Sequence, residues 1–521
     1  MSEGPGEEYD EELHGSEEQL EQARAGSFGS DGLRRGRVPQ DRRPPARVDG
    51  AARAGTAGAA AEAQDEEDAR YAQVVAAVLE RNPEHRIHPT LERVREACAL
   101  LGDPQLAYRV VHVAGTNGKT STTRMVERLV REHDLRTGLF TSPHLSEITE
   151  RIAIDGEPVS RAAFVRAYDD VEPVVAIVDE RAAERGEPRL SFFEVLTLMA
   201  FAAFADAPVD VAVIETGLGG TWDTTNVVRP DVAVITPVSM DHETWLGSTI
   251  EEIAAQKAGI VKHGATVVLG RQEEEASAVL LAKAAAERVT VVREGADFGV
   301  EQRTLAVGGQ LVSLRTRGGL YTDVLLPLHG AHQADNAATA LAAAEALLAL
   351  PGGTLPPGLV EAAFADVTSP GRLEVLRTSP TIIADSAHNP AGAQALAAAI
   401  AEAFTLSRLV GVVAVAGDKD VDGVLAALEP VLAEVVVTRS SSPRSMEAAE
   451  LGEIAEGVFG EDRVHVVDRL DQALTTAVDL AESDSGVGGG LGGSGAGVLV
   501  AGSVVLAGDV RTLLARPGRR G

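Results

Sequence analysis

The sequence is short of three things. It has one cysteine, Cys98, in 521 residues, which excludes an intrachain disulfide and suits a reducing compartment. It is short of positive charge: 47 Lys and Arg face 78 Asp and Glu, a formal net charge of −31 at pH 7. That balance argues against a nucleic-acid binder, although local loops can still hold phosphates through backbone N–H groups and a few cations. It also lacks a long apolar run. The best, VLTLMAFAAFA, stops at Asp206, Pro208 and Asp210, short of the roughly 20 residues that a membrane span requires. The first residues, MSEGPGEEYDEELHG, are acidic, the reverse of a signal peptide's basic start and apolar core. The expectation is a cytoplasmic protein with no nucleic-acid and no membrane partner.

What is present organises into a tail and two α/β sets. Residues 1–68 carry an acidic third and then a basic block, LRRGRVPQDRRPPAR, with few apolar residues. They read as a disordered charged N-terminal tail, with an interaction arm as the sharper alternative. From residue 69, strand-like runs (YRVVHVA, VDVAVIE, DVAVIT, ATVVLG) alternate with helical stretches. Continuous apolar strands separated by helices imply a parallel sheet covered on both faces. A second set begins near residue 370 with TIIAD, LVGVVAVAG, AEVVVT, DRVHVV and GVLVAGSVV. The expected domains are therefore 69–368 and 369–521. The glycine-rich stretch 483–497 follows no strand and has no Lys-Thr, so it reads as a flexible surface loop.

The stretch RVVHVAGTNGKTSTTR, residues 109–124, carries the strongest chemical signal. RVVHVA supplies a buried strand and GTNG a tight turn. Lys119, Thr120 and Ser121 then open a helix, whose free N–H groups attract anions. The full phosphate-loop pattern wants a glycine five residues before Gly118, and Val113 stands there. A plain strand-to-helix turn would not explain why Gly115, Thr116, Asn117, Gly118, Lys119 and Thr120 fall where phosphates need them. Lys119 can reach terminal phosphates and the Thr120 hydroxyl can bind Mg²⁺.

Two further strands end in chemistry-bearing residues. Glu215 closes VDVAVIE, and ligands gather beyond the carboxyl ends of strands in open α/β sheets. A carboxylate there can hold Mg²⁺ between ATP phosphates. Asp241 and His242 follow DVAVIT and would project at the same edge, in a metal or phosphate role. In STIEEIAAQKAGIVK, Ser248 and Glu251 form a capping-box pattern that starts a helix. Ile250, Ile253, Ala254, Lys257 and Val261 then share one face. A lysine in an apolar stripe is paired, modified or snorkelling to water. Desolvation lowers its pKa and frees its amine, which can take up CO₂ to become an oxygen-donor carbamate suited to Mg²⁺.

In order along the chain stand HVAGTNGKTST, TSPHLSEITERIAIDG, SFFEVLT, ETGLGGTWDTTNVV, HGAHQADNAATAL, SPGRLEV and DSAHNPAG. With the Asp241-to-Lys257 stretch, this set resembles the folylpolyglutamate synthases, in bacteria often also dihydrofolate synthases, of the Mur-ligase superfamily. The resemblance covers about residues 72–517. It implies an α/β fold: a P-loop parallel-sheet ATPase domain followed by a smaller Rossmann-like α/β ligase domain. It implies ATP and two Mg²⁺ sites as cofactors, folate or dihydropteroate and L-glutamate as substrates, and a monomer. By position, Lys119 and Thr120 would bind phosphate and magnesium, beside Ser121. Ser142 and Glu215 would ligate the first magnesium. His242 and carbamylated Lys257 would serve the second. Asn336, Arg372 and Asp385 match further ATP contacts. Phe192, Phe193, Glu194, Trp222 and Asp223 lie where the pterin is expected, and Ser386 and His388 near the incoming glutamate. Lys119, His242, Lys257, Asp385 and His388 form the implied catalytic set.

Two departures stand out. Thr120 directly follows Lys119, as in the cell-wall ligases, where many relatives have Lys-Gly-Ser. Thr221 stands where relatives often carry arginine, which weakens the carry-over of a basic folate contact. The implied reaction activates a carboxylate with ATP as an acyl phosphate, which the glutamate amine then attacks. A cell-wall amino-acid ligase is the alternative within the class. A nucleotide-binding regulatory switch and a non-catalytic scaffold are alternatives outside it, and the chain shows no guanine-reading or switch signature.

Overall fold

Strands that are apolar on both sides must be covered on both sides, and that requirement builds the molecule. The structure is a computed structural model that describes residues 50–82, 88–348, 353–483 and 495–515. Contacts divide the chain into residues 1–61 and 62–521, and both lobes below lie within the second unit. The tail expected over 1–68 is only partly within view: residues 1–49 lie outside the described residues. Residues 50–68 belong to the helix Gly50–Leu79, contrary to the expectation. The reason is composition, since AARAGTAGAAAEAQ is rich in alanine, the best helix former. Of the loop expected over 483–497, residues 484–494 are also outside the described residues. Ser483 ends one helix, and Ala496 and Gly497 begin a strand.

The first lobe holds an eight-stranded sheet. Its six parallel strands run in the order Thr137–Phe140, Val211–Glu215, Arg109–Ala114, Val232–Ile235, Thr266–Leu269 and Thr290–Arg293. Two short antiparallel strands, Ile152–Ile154 and Glu157–Pro158, extend one edge. Val111 and Val113 pack with Met125, Val126 and Leu129 of the helix Lys119–Arg131. Val110, Ala212 and Ile214 pack on the other face with Phe201 and Phe204 of the helix Phe192–Asp206. Strand alternation produces this division, because successive side chains point to opposite faces. Cys98 is buried in this second cluster, where burial pushes its thiol up to about 12 and leaves it unreactive.

A three-stranded antiparallel sheet, Gly299–Ala306, Gly309–Arg315 and Leu320–Leu326, follows. The second lobe is a six-stranded sheet that starts at Glu374. Its order is Glu374–Thr378, Thr381–Ala384, Ala496–Ala501, Arg408–Val413, Glu434–Val437 and Val464–Val466, antiparallel only in the first pair. Among the described residues, no helix is long and apolar enough to cross a membrane.

Candidate active site

The strand Arg109–Ala114 lies between Val211–Glu215 and Val232–Ile235. The three carboxyl ends therefore deliver Gly115, Thr216 and Thr236 to one place, next to the reversal of strand order. Gly115 adopts φ +152°, and a Cβ there would lie 1.8 Å from Thr236 Oγ1. Gly118 adopts φ +83°, and its Cβ would lie 2.4 Å from Asn336 Oδ1. Both positions exclude any side chain, which is why the loop is GTNG. Gly118 caps the helix Lys119–Arg131 without a side-chain hydrogen bond, so the helix presents its first N–H groups to an anion.

Around this loop the expected residues assemble. Thr120 Oγ1 donates to Glu215 Oε1 at 2.9 Å, and the Ser142 N–H donates to Glu215 Oε2 at 3.4 Å. Val113 pairs with Glu215 across the two strands, which sets this alignment. Glu215 is 1% exposed. Burial raises its pKa, opposed mainly by the Lys119 charge and the Thr120 hydroxyl. A buried carboxylate beside two hydroxyl-bearing residues is an all-oxygen donor set, and it fits Mg²⁺. Lys119 Nζ donates to Thr116 O at 3.1 Å, and burial lowers its pKa. Ser121 contacts Ser369 at 2.9 Å and accepts from Gln333 Nε2 at 3.3 Å, so it braces the loop.

Lys257 is 3% exposed, and its Nζ donates to Gly115 O at 2.7 Å. It does not snorkel. Burial, helped by the Lys119 charge, brings its pKa down to about 7. Its helix, Ile250–Lys257, is capped one residue later than expected: Thr249, not Ser248, accepts from the Glu252 N–H. Gly247 at φ +115° turns the chain just before, and the Ser248 N–H donates to Glu252 Oε2 instead.

Asp241 and His242 follow the strand Val232–Ile235, as expected, but they face the second lobe. Lys419 Nζ lies 2.6 Å from Asp241 Oδ1 and 3.2 Å from His242 Nε2. Asn389 Nδ2 donates to Asp241 Oδ2 at 3.1 Å and also to Asn117 Oδ1 at 3.1 Å. Burial opposes ionisation of Asp241, but His388, His242 and Lys419 outweigh it and hold the carboxyl well below the usual range. Burial, partly offset by Asp241, brings His242 down to about 3, so its imidazole is neutral.

A cavity of about 250 Å³ between the lobes is lined by Asn117, Gly118, Thr120, Ser121, Asn336, Arg372, Asp385 and His388. The structure thus brings together the expected ATP contacts from both lobes. Asp385 accepts from the Leu373 and Ala387 N–H groups, at 2.8 Å each, and so fixes the chain on either side of Arg372 and Ser386. Ser386 Oγ donates to Gly371 O at 2.9 Å. Sequence reasoning missed Lys419, Asn389, Gln333 and His332 here. Lys419 follows the strand Arg408–Val413, so the strand-end rule that found Glu215 would have found it too.

Of the residues expected at the pterin, Phe192 and Phe193 share one buried cluster while Trp222 packs against another, and the two carboxylates are spent internally. Phe193 stacks on Phe140 with centroids 5.7 Å apart, and Arg151 lies over the Phe192 ring at 5.1 Å. Glu194 is 2% exposed and is gripped by Arg93, Nη2 reaching both carboxylate oxygens at 3.0 and 3.1 Å. It also closes a capping box with Ser191. Asp223 is buried and accepts from the Leu218 and Thr225 N–H groups at 2.8 and 3.0 Å. Both carboxylates hold backbone in place, the Phe192 and Phe193 rings are buried, and Trp222 is half-buried.

Comparison with known proteins agrees with this geometry. Residues 113–344 match the Mur ligase middle domain, and residues 371–504 match the Mur ligase glutamate ligase domain. A dihydrofolate synthase/folylpolyglutamate synthase of Mycobacterium tuberculosis is 49% identical over 464 residues, 87% of this chain and 95% of that protein. Its Bacillus subtilis counterpart is 35% identical over 398 residues, 73% and 89% of the two chains. A crystal structure of the M. tuberculosis folylpolyglutamate synthase with ADP and AMPPCP superposes with a TM-score of 0.82, at 47% identity, covering 87% of this chain and 100% of that one. An Escherichia coli relative solved with DHPP and ADP gives 0.71 at 29% identity, covering 85% and 97%. By these matches the chain belongs to the dihydrofolate synthase/folylpolyglutamate synthase family of the Mur ligases.

Proposed function

We propose that this chain is an ATP-dependent ligase that adds L-glutamate to tetrahydrofolates and to dihydropteroate, acting as a monomer through an acyl phosphate. The observation that carries the reading is the convergence of both lobes on one cleft. Lys119, Thr120 and Glu215 come from the first lobe, and Arg372, Asp385 and His388 from the second.

The chemistry follows from the placement. A carboxylate is a poor acyl donor, so its oxygen must first take a phosphoryl group. The loop N–H groups and Lys119 hold the phosphates, while Arg372 approaches from the second lobe. Thr120, Ser142 and Glu215 would hold one Mg²⁺, and His242 with carbamylated Lys257 a second. Mg²⁺ held by these residues would neutralise phosphate charge. Half-buried Trp222 would offer apolar surface to the pterin. Ser386 and His388 lie where the glutamate amine would arrive. The second lobe excludes water from the acyl phosphate, so aminolysis competes over hydrolysis.

ADP release decides the matter. With ATP and glutamate, dihydropteroate or tetrahydrofolate should each stimulate it, and Lys119→Ala should lose at least about a hundred-fold. Stimulation by a UDP-muramoyl peptide but by neither pteridine would refute the reading.

A further inference from the structure

A cation without a hydrogen-bond partner stands near Glu215. Arg124 lies one turn after Thr120 on the helix Lys119–Arg131, so the two share a face, and a long side chain there leans back towards the helix start. It is half-buried. Among the described residues it makes no hydrogen bond and no direct ion pair. The negative charges that act on it are Glu215, Glu150 and Glu127, and all three are committed elsewhere. Glu215 accepts from Thr120 and the Ser142 N–H. Glu150 accepts from the N–H groups of Leu145, Ser146 and Glu147 at 2.8, 3.0 and 2.9 Å. Glu127 accepts from Arg131 and Thr137 at 2.8 and 2.6 Å. From the second lobe, Arg511 of the helix Val504–Ala515 repels Arg124, while itself paired with Glu374 at 3.0 Å. The same helix packs Gly508 against Leu145 O. Arg124 therefore faces the seam where the chain after Ser142 meets the second lobe.

Glu215 stands between two groups of charge. With it, Asp241, Arg372 and Lys419 act on Lys119, and Glu150, Glu127 and Arg511 act on Arg124. The first group is the phosphate side of the cleft. We propose that Arg124, on the other side, is a specificity residue that binds the spare α-carboxylate of a glutamyl tail on the acid substrate. This rests on the ligase reading above and states which acids its site prefers. A tetrahydrofolate ends in a glutamyl group, so one carboxylate reacts and one is left over, whereas dihydropteroate has a single carboxylate. Free guanidinium N–H groups match a carboxylate in two-pronged fashion. The reacting carboxylate is the poorer match, because such a grip would hold the lone pairs that must attack phosphorus. That carboxylate belongs on the Lys119 side, and the methylenes of the tail carry the other one across to Arg124.

Steady-state ADP release tests this on the full-length protein with ATP, glutamate and three acids: tetrahydrofolate, tetrahydropteroyl-γ-aminobutyrate, which lacks only the α-carboxylate, and dihydropteroate. Wild type should show a KM about ten-fold or more lower for tetrahydrofolate than for the γ-aminobutyrate analogue. In Arg124→Gln the two KM values should come within about two-fold of each other, with dihydropteroate still stimulating ADP release as the sign of a folded variant. Arg124→Lys keeps the charge and loses the fork, so it should retain part of the preference. The proposal is overturned if wild type does not distinguish the two tetrahydropteroyl acids or if Arg124→Gln keeps the wild-type ratio. If Arg124→Gln is inactive with all three acids, Arg124→Lys decides: a reduced ratio supports the proposal and an unchanged one overturns it. A wild-type protein stimulated by none of the three refutes the ligase reading itself, and this proposal falls with it.

Discussion

The Arg93–Glu194 pair separates two accounts of the pterin region. If Glu194 meets substrate, its loss should weaken folate binding and leave the fold intact. The structure points to the opposite. Both side chains are nearly fully buried, 2% and 3% exposed, and three contacts of 3.0 to 3.3 Å join them. Glu194→Ala strands the guanidinium in the core, which costs about 3–5 kcal/mol. It also opens the Ser191–Glu194 capping box, which costs about 1 kcal/mol more. At roughly 2–4 °C per kcal/mol for a lobe of this size, the melting temperature should fall by about 8–24 °C. Replacing the pair by two methionines removes both charges and keeps apolar volume, so Arg93→Met with Glu194→Met should recover most of the loss. Thermal melts of the two single variants and the double variant give the cycle. A Glu194→Ala variant that melts within 2 °C of wild type but shows a raised folate KM would refute the reasoning.

Lys257 should confer a bicarbonate- and pH-dependent rate. Its amine is mostly protonated at pH 6 and mostly neutral at pH 8, since its pKa is about 7, so activity and ¹³C-carbamate signal should rise together through that window. Lys257→Ala should be nearly inactive and partly rescued by acetate, whereas wild-type turnover in that variant would end the carbamate idea. The same lysine makes stability pH-dependent. The unfolded chain binds more protons there between pH 7 and 10.5, so stability rises with pH across that range and Lys257→Met should remove this share. Gly508→Ala should cut kcat/KM at least about ten-fold, because its Cβ would lie 2.0 Å from Leu145 O and displace the loop bearing Ser142. Gly457→Ala, with nothing within 4 Å, should leave activity unchanged and raise stability by up to about 1 kcal/mol.

Local rules made much of the site legible. Most parallel strands of the two sheets were visible as apolar runs, but Thr137–Phe140 and Thr290–Arg293 were not among those read. The phosphate loop was visible because an apolar strand, a glycine turn and a helix start follow one another directly along the chain. Lys257 stood out because a charge on an apolar helical face contradicts the pattern around it. The antiparallel sheet 299–326 went unread, although its Val307-Gly308 turn and alternating residues are a hairpin signal. The cap at Thr249 was placed one residue early, since two adjacent hydroxyls compete and only the turn at Gly247 decides between them.

Sequence order and composition determined the α/β class, the nucleotide loop and the polar residues at the strand ends, because strand and helix periodicities and turn chemistry are local. Which carboxylate is free and which is spent was a tertiary decision. Glu194 is matched by Arg93 across about a hundred residues, and Asp241 by Lys419 across 178. Partnership at that range depends on how helices pack within the first lobe for Arg93 and Glu194, and on how the two lobes meet for Asp241 and Lys419, and nothing in the spacing along the chain encodes it.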